Sequence, residues 1–382
     1  MKTFLCLLLL AAILCGCGQS RPEALPSDPA TTEAIAAETT QPTVPTTLPP
    51  DPIADLIADM SIEQRVGQLF LARCNAATAL QDIANYHLGG LVLFAVDFQD
   101  QTPQSVSDTL SGYQSQAQIP LLISVDEEGG TVTRISRYPS FRSQKFPSAR
   151  DAFQAGGLDG ALNIEGEKCQ LLSSLGINVN LGPVCDIALD PGAFMYSRSL
   201  GQSPTVTARY VMDTVTLMQS YGIGSVLKHF PGYGNNVDTH TGIAIDHRSL
   251  ASLEEFDLIP FRSGIQAGCG GIMVSHTVVM DLDPESPASL SPAVHQYIRE
   301  NMGFEGVIIT DDLVMQAITD RYGAGEAAVL AVLAGNDLLC SSEYTVQYAA
   351  VLDAVLSGRI DMQILNAAVR RVLQWKMNLG LL

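Results

Sequence analysis

The sequence predicts an α/β protein built as one (β/α)₈ barrel of the TIM type, and three observations carry that expectation. Eight short β-rich runs alternate with segments of helical periodicity, the signature of a parallel sheet covered by helices. The body from Asp51 to Leu382 is 332 residues long, a usual size for such a barrel. Asp126, Lys228, His229, His276 and Asp311 each end an apolar run, and in a barrel those ends converge on the face where active sites are built.

The chain starts with a different kind of segment. Lys2 is followed by an apolar run from Phe4 to Leu14, broken only by Cys6, and then by Leu14-Cys15-Gly16-Cys17. Such a run fits a secretory h-region and is too short to span a bilayer. The four-residue ending resembles the lipobox of bacterial lipoproteins, which implies cleavage after residue 16 and a lipid on the Cys17 sulfur. A plain, removed signal peptide is the alternative, although it needs no cysteine at the cut. Residues 17–50 are rich in Pro, Thr, Ala and Ser and nearly free of large apolar side chains. They cannot bury enough surface to offset their ordering entropy, and read as a tether semi-extended by prolines.

The candidate strands follow in order. They are Val66 to Ala72, Gly90 to Val96, Leu121 to Asp126, Ile177 to Leu181, Gly224 to His229, Gly271 to His276, Val307 to Asp311 and Asp337 to Cys340. The first is ambiguous, because Ser61 could N-cap a helix running through the same stretch. Amphipathic segments fall between them at Ser105 to Gln118, Ala161 to Leu175, Val206 to Tyr221 and Ala324 to Ala334. With 47% hydrophobic residues the chain has the material for a large core.

Composition excludes several partners. Removal of residues 1–16 deletes one cation, Lys2, so 20 basic residues remain against 40 acidic ones, a net charge of −20. That balance argues against nucleic acid and against an electrostatically held anionic lipid face. Cys74, Cys169, Cys185, Cys269 and Cys340 are odd in number, far apart and mostly in apolar surroundings, and read as buried free thiols. There is no CxxC pair and no HExxH, so neither a structural zinc nor any other metal is expected.

The chemistry is most legible between Lys228 and His240, Lys-His-Phe-Pro-Gly-Tyr-Gly-Asn-Asn-Val-Asp-Thr-His. A strand-like approach breaks into a glycine-rich loop, where catalytic groups sit when a scaffold holds them. Asp238 and His240 are two apart, so in an extended stretch both side chains point the same way. The carboxylate could then orient an imidazole that titrates near neutrality.

That loop, together with Val125-Asp126-Glu127-Glu128-Gly129-Gly130, Arg198-Ser199-Leu200-Gly201 and Ile309-Thr310-Asp311-Asp312-Leu313, resembles in order and spacing the motifs of glycoside hydrolase family 3. The similarity is to the bacterial β-N-acetylhexosaminidases of the NagZ type and covers roughly Ile53 to Leu382. Pro183-Val184-Cys185-Asp186 and Pro287-Ala288-Ser289-Leu290-Ser291 add minor blocks. The resemblance implies Asp311 as nucleophile, forming a covalent glycosyl intermediate. Asp312 would point away on a strand, as a helix-capping or loop-bonding residue. His240 is implied as acid/base in place of the usual second carboxylic acid, with Asp238 holding its other ring nitrogen. Asp126, Arg198, Lys228 and His229 match positions that bind the non-reducing sugar, a task suited to charged hydrogen-bonding groups. Arg134, Asp186, Ser275 and His276 lie in matching blocks as supports, whereas His87, His247 and His295 fall outside the motifs. Two departures bear on substrate preference: Tyr233 stands where the family commonly has a second histidine, and Thr131 where arginine is frequent.

The implied activity is that of an exo-acting, retaining β-N-acetylglucosaminidase. It would release terminal GlcNAc from peptidoglycan fragments or related glycans, as a monomer without metal or organic cofactor, lipid-anchored outside the cytoplasmic membrane. Two alternatives stay open. One is a phosphorylase, since a histidine acid/base spares an incoming phosphate a fixed negative charge. The other is a lipoprotein that binds glycans without cleaving them.

Overall fold

A computed structural model of the chain describes residues 51–382 apart from 235, 237 and 239–241. The leader and tether expected over residues 1–50 lie outside the described residues, as does His240.

Eight parallel strands form the barrel sheet: β1 (Phe70–Arg73), β2 (Gly90–Leu93), β3 (Leu122–Val125), β4 (Val179–Asn180), β5 (Gly224–Phe230), β7 (Gly271–Val274), β9 (Val307–Thr310) and β10 (Leu339–Ser341). The hydrogen-bonded order is β10-β1-β2-β3-β4-β5-β7-β9, and a parallel bridge between Ile309 and Leu338 joins the ends. A separate two-stranded ladder pairs β6 (Ile245–Asp246) with β8 (Val278–Val279).

All eight candidate runs contain strands, most of them shorter than the run; the second ends at Leu93 before a 3₁₀ turn at Ala95–Phe98, and the first needs the largest correction. Ser61 caps a short helix, Ile62–Gly67, in a reciprocal box with Gln64, and β1 begins only at Phe70. Both halves of the ambiguous stretch are therefore realised. The proposed helical stretches coincide with Pro103–Gln116, the second half of Ala149–Leu175, Pro204–Ser220 and Ala324–Ala334.

Strand alternation separates two apolar layers. Leu71, Val92, Leu122, Val179, Val226, Met273, Val307 and Ile309 fill the barrel interior. Phe70, Leu91, Leu93, Ile123 and Val125 face outward onto the helices. Helix Met362–Asn378 covers the N-terminal end of the barrel, where Trp375 lies over Gly224 and Gly270; a Cβ on Gly270 would stand 1.9 Å from the indole nitrogen. The five cysteines of the body are buried and free. Among the described residues no helix is long and apolar enough to cross a membrane, and no cluster of His, Cys, Asp and Glu could hold a metal ion.

Candidate active site

The strand period decides which side chains enter the barrel mouth. Asp311 follows β9 two residues after Ile309 and so continues the inward face, and its N–H donates to Val274 O at 3.0 Å. Asp312 takes the opposite parity. Its carboxylate accepts from Val314 N and from the Ser342 N–H and hydroxyl, the loop-bonding part expected of it. By the same rule Asp126 continues the inward face of Leu122 and Ser124, and Lys228 that of Val226.

His229 would face the helices on a regular strand. The register of β5 on β7 slips between Leu227 and Phe230, and the Lys228–His229 peptide is cis. His229 stands beside Lys228 in the same polar network.

That network is continuous. Lys228 Nζ lies 2.6 Å from both Asp126 Oδ1 and Glu128 Oε1. Arg198 grips Glu128 with two nitrogens, at 2.9 and 2.7 Å, and its Nη2 is 3.1 Å from His229 Nε2. The other ring nitrogen of His229 lies 2.8 Å from Asp186 Oδ2, whose carboxylate also accepts the backbone N–H groups of His229 and Tyr233. Arg134 closes the chain 3.6 Å from Asp126 Oδ2.

Charges buried at this density must neutralise one another. Burial alone would raise the Glu128 carboxyl, but Lys228 and Arg198 outweigh it and hold the group well below the usual carboxylate range. Asp186 is likewise pushed up by burial and brought below its ordinary value by His229 and the hydrogen bonds it accepts. Burial favours a neutral Lys228, yet Asp126 and Glu128 keep its pKa above that of free lysine. The site is thus a fixed array of charges, suited to hold neutral polyol hydroxyls by charge-assisted hydrogen bonds.

These groups open onto a cavity of about 570 Å³ whose walls include Asp126, Arg134, Arg198, Lys228, His229 and Asp311. Phe94, Met273 and Met315 supply apolar wall. A larger groove of about 830 Å³ lies at the opposite end of the strands, around Gly222, Gly268, Gly303 and Trp375. It belongs to the end of a barrel that serves stability, whereas the smaller cavity has the convergent charges.

Not every strand-end residue enters the cavity. His276 is buried behind it, with Nδ1 2.7 Å from Ser289 Oγ and Nε2 3.0 Å from the Asp312 carbonyl, so it steadies the turn after Asp311. Glu128 is a member of the network with no role expected from the sequence. It stands two residues after Asp126, so strand parity favours its inward face over that of Glu127, but its pairing with Lys228 and Arg198 is visible only in the fold. Glu127 is fully buried, accepting from the N–H groups of Arg134 and Ile135 and from the Ser136 hydroxyl. Asp186 likewise proves central to the network. Tyr233, one of the departures, is buried with its ring 5.3 Å from that of His229. Asp238 is half-buried, and its expected pairing with His240 lies outside the described residues.

The family model described as the glycosyl hydrolase family 3 N terminal domain matches residues 61–375. The chain belongs to glycoside hydrolase family 3. Among its relatives, the β-hexosaminidase LpqI of Mycobacterium tuberculosis is 31% identical over 336 residues, which cover 85% of this chain and 84% of the relative. The structure of a family 3 β-N-acetylglucosaminidase from Paenibacillus sp. str. FPU-7 superposes with a TM-score of 0.78 at 33% identity, covering 84% of this chain and 63% of that one. A β-N-acetylhexosaminidase from Beutenbergia cavernae gives a TM-score of 0.74 at 28% identity over 84% of this chain and 99% of its own. This chain therefore spans about two thirds of the Paenibacillus protein and nearly all of the Beutenbergia one.

Proposed function

We propose that the protein is an exo-acting, retaining β-N-acetylglucosaminidase that removes terminal non-reducing GlcNAc from peptidoglycan fragments or related glycans. The observation that carries this reading is the convergence of Asp311 with Asp126, Arg198, Lys228 and His229 on one cavity at the C-terminal barrel mouth, in a chain whose relatives include enzymes named β-hexosaminidases.

In this reading the charged network binds the hydroxyls of the terminal sugar and orients its anomeric carbon over Asp311. The Asp311 carboxylate attacks that carbon as the glycosidic bond breaks. The leaving oxygen takes a proton from His240, which Asp238 orients, and a covalent glycosyl ester remains on Asp311. His240, now neutral, accepts a proton from water as that water opens the ester. No organic cofactor or metal enters this scheme. The protein works as a monomer held to the outer face of the cytoplasmic membrane by lipid on Cys17.

The test is turnover of aryl β-GlcNAc and aryl β-glucoside substrates by wild type and by Asp311→Asn and His240→Ala. The GlcNAc substrate is turned over faster, Asp311→Asn falls to background, and His240→Ala loses roughly 10²–10⁴-fold in kcat. Equal rates on the two sugars defeat the GlcNAc assignment. Product formed only with added phosphate, and recovered as the sugar phosphate, replaces hydrolysis by phosphorolysis. Binding of GlcNAc oligomers without turnover, unchanged in Asp311→Asn, leaves a glycan-binding protein. For the anchor, Cys17→Ala releases the protein from membranes into the medium; retention in the membrane fraction refutes lipidation at that residue.

A further inference from the structure

The segment from Gly232 to Asp246, which contains Asp238 and His240, is tied at both ends to one guanidinium. Arg248 Nη2 donates to Gly232 O at 2.8 Å where the segment begins. Its Nε and Nη2 engage both oxygens of Asp246, at 2.6 to 3.0 Å, where the segment ends. Nη1 donates at 2.6 Å to Asp257, just ahead of helix Leu258–Gln266 on the barrel wall.

The packing around this knot is close. Gly232 has φ +110°, and a Cβ there would come within 2.9 Å of the Asp257 side chain. A Cβ on Gly234 would come within 2.6 Å of Arg248 Nη1. Asp246 and Asp257 are 1% and 3% exposed, so two carboxylates are desolvated around a single cation. Such burial adds little net stability. Asp257 is pushed up to about 6 by burial against the pull of Arg248.

We propose that Arg248, held by Asp246 and Asp257, is a positioning residue that sets where the segment carrying the acid/base stands relative to the barrel mouth. This rests on the reading of His240 as acid/base. A proton donor displaced by about 1 Å costs on the order of 10²-fold in rate. That cost appears only where the leaving oxygen needs a proton.

The experiment compares alkyl or phenyl β-GlcNAc substrates with a dinitrophenyl one, whose leaving group departs unprotonated, in Arg248→Met, Arg248→Lys, His240→Ala and the double variant Arg248→Met/His240→Ala. Arg248→Met loses about 10²-fold in kcat/KM on the poor leaving groups and little on the dinitrophenyl substrate. Arg248→Lys keeps the charge but cannot span three partners, and shows the same pattern at smaller amplitude. It also serves if Arg248→Met fails to fold. The double variant is no slower than His240→Ala, because both changes remove one function. Equal losses on all leaving groups, or penalties that multiply in the double variant, overturn the positioning role. If His240→Ala is itself insensitive to the leaving group, the acid/base reading fails, and that arm identifies it as the cause.

Discussion

Glu128 holds together two cations that would otherwise repel across the sugar site. Lys228 and Arg198 both contact Oε1, at 2.6 and 2.7 Å, and the Glu128 side chain is only 6% exposed. Glu128→Gln keeps the shape and removes the charge, leaving the two cations undercompensated. The expected result is a loss of about 3–5 kcal/mol in unfolding free energy and a lower kcat/KM carried mainly by KM, measured by denaturant unfolding and steady-state kinetics. Unchanged stability would show that Asp126 and Asp186 suffice as counter-charges. The pH dependence has a definite sign. The folded pKa of Glu128 is depressed, so its contribution is complete above the unfolded carboxylate value and is lost as pH falls below it. The candidate sugar ligands Asp126, Arg198, Lys228 and His229 were legible because they ended apolar runs or lay in the family motifs. The importance of Glu128 was not, because it depends on residues 70 and 100 positions away.

At the scale of elements, strand parity explains why Asp311 faces the cavity and Asp312 the loop. It fails at His229, where β5 departs from regular register. The other end of the barrel depends on contact between strand backbone and the last helix. Gly270 precedes β7 and lies under Trp375 with no room for a methyl group. Gly270→Ala is expected to cost about 1–3 kcal/mol by overpacking and to shift the fluorescence of the single tryptophan, with KM unchanged because the site is at the opposite end. A neutral substitution would mean that helix Met362–Asn378 can move aside. The helix–strand alternation was readable from periodicity, whereas the Ser61–Ala72 stretch was not, because a six-residue helix and a four-residue strand follow each other too closely for either period to stand out.

Across the whole molecule, one buried cation sets an alkaline dependence of stability. Lys376 is fully buried, donates to Gln68 Oε1 at 2.6 Å, and is lowered by burial to about 7. Between about pH 7 and the ordinary lysine value near 10.4 the unfolded chain binds the extra proton, so stability rises with pH across that window. Lys376→Met removes this slope and stabilises most at pH 6 to 7, checked by denaturant midpoints at pH 6, 8 and 10. A slope that persists in the variant assigns it to another group.

The barrel, the succession of its eight strands and the family motifs can be read along the chain. These are properties of local period and of short motifs, and they survive without knowledge of what lies across the sheet. The fold alone shows that Glu128 bridges Lys228 and Arg198, that His276 stands behind the site, and that Arg248 ties Gly232 to Asp246. Each of those depends on partners brought together by barrel closure, where a buried charge finds its counter-charge in space rather than along the chain.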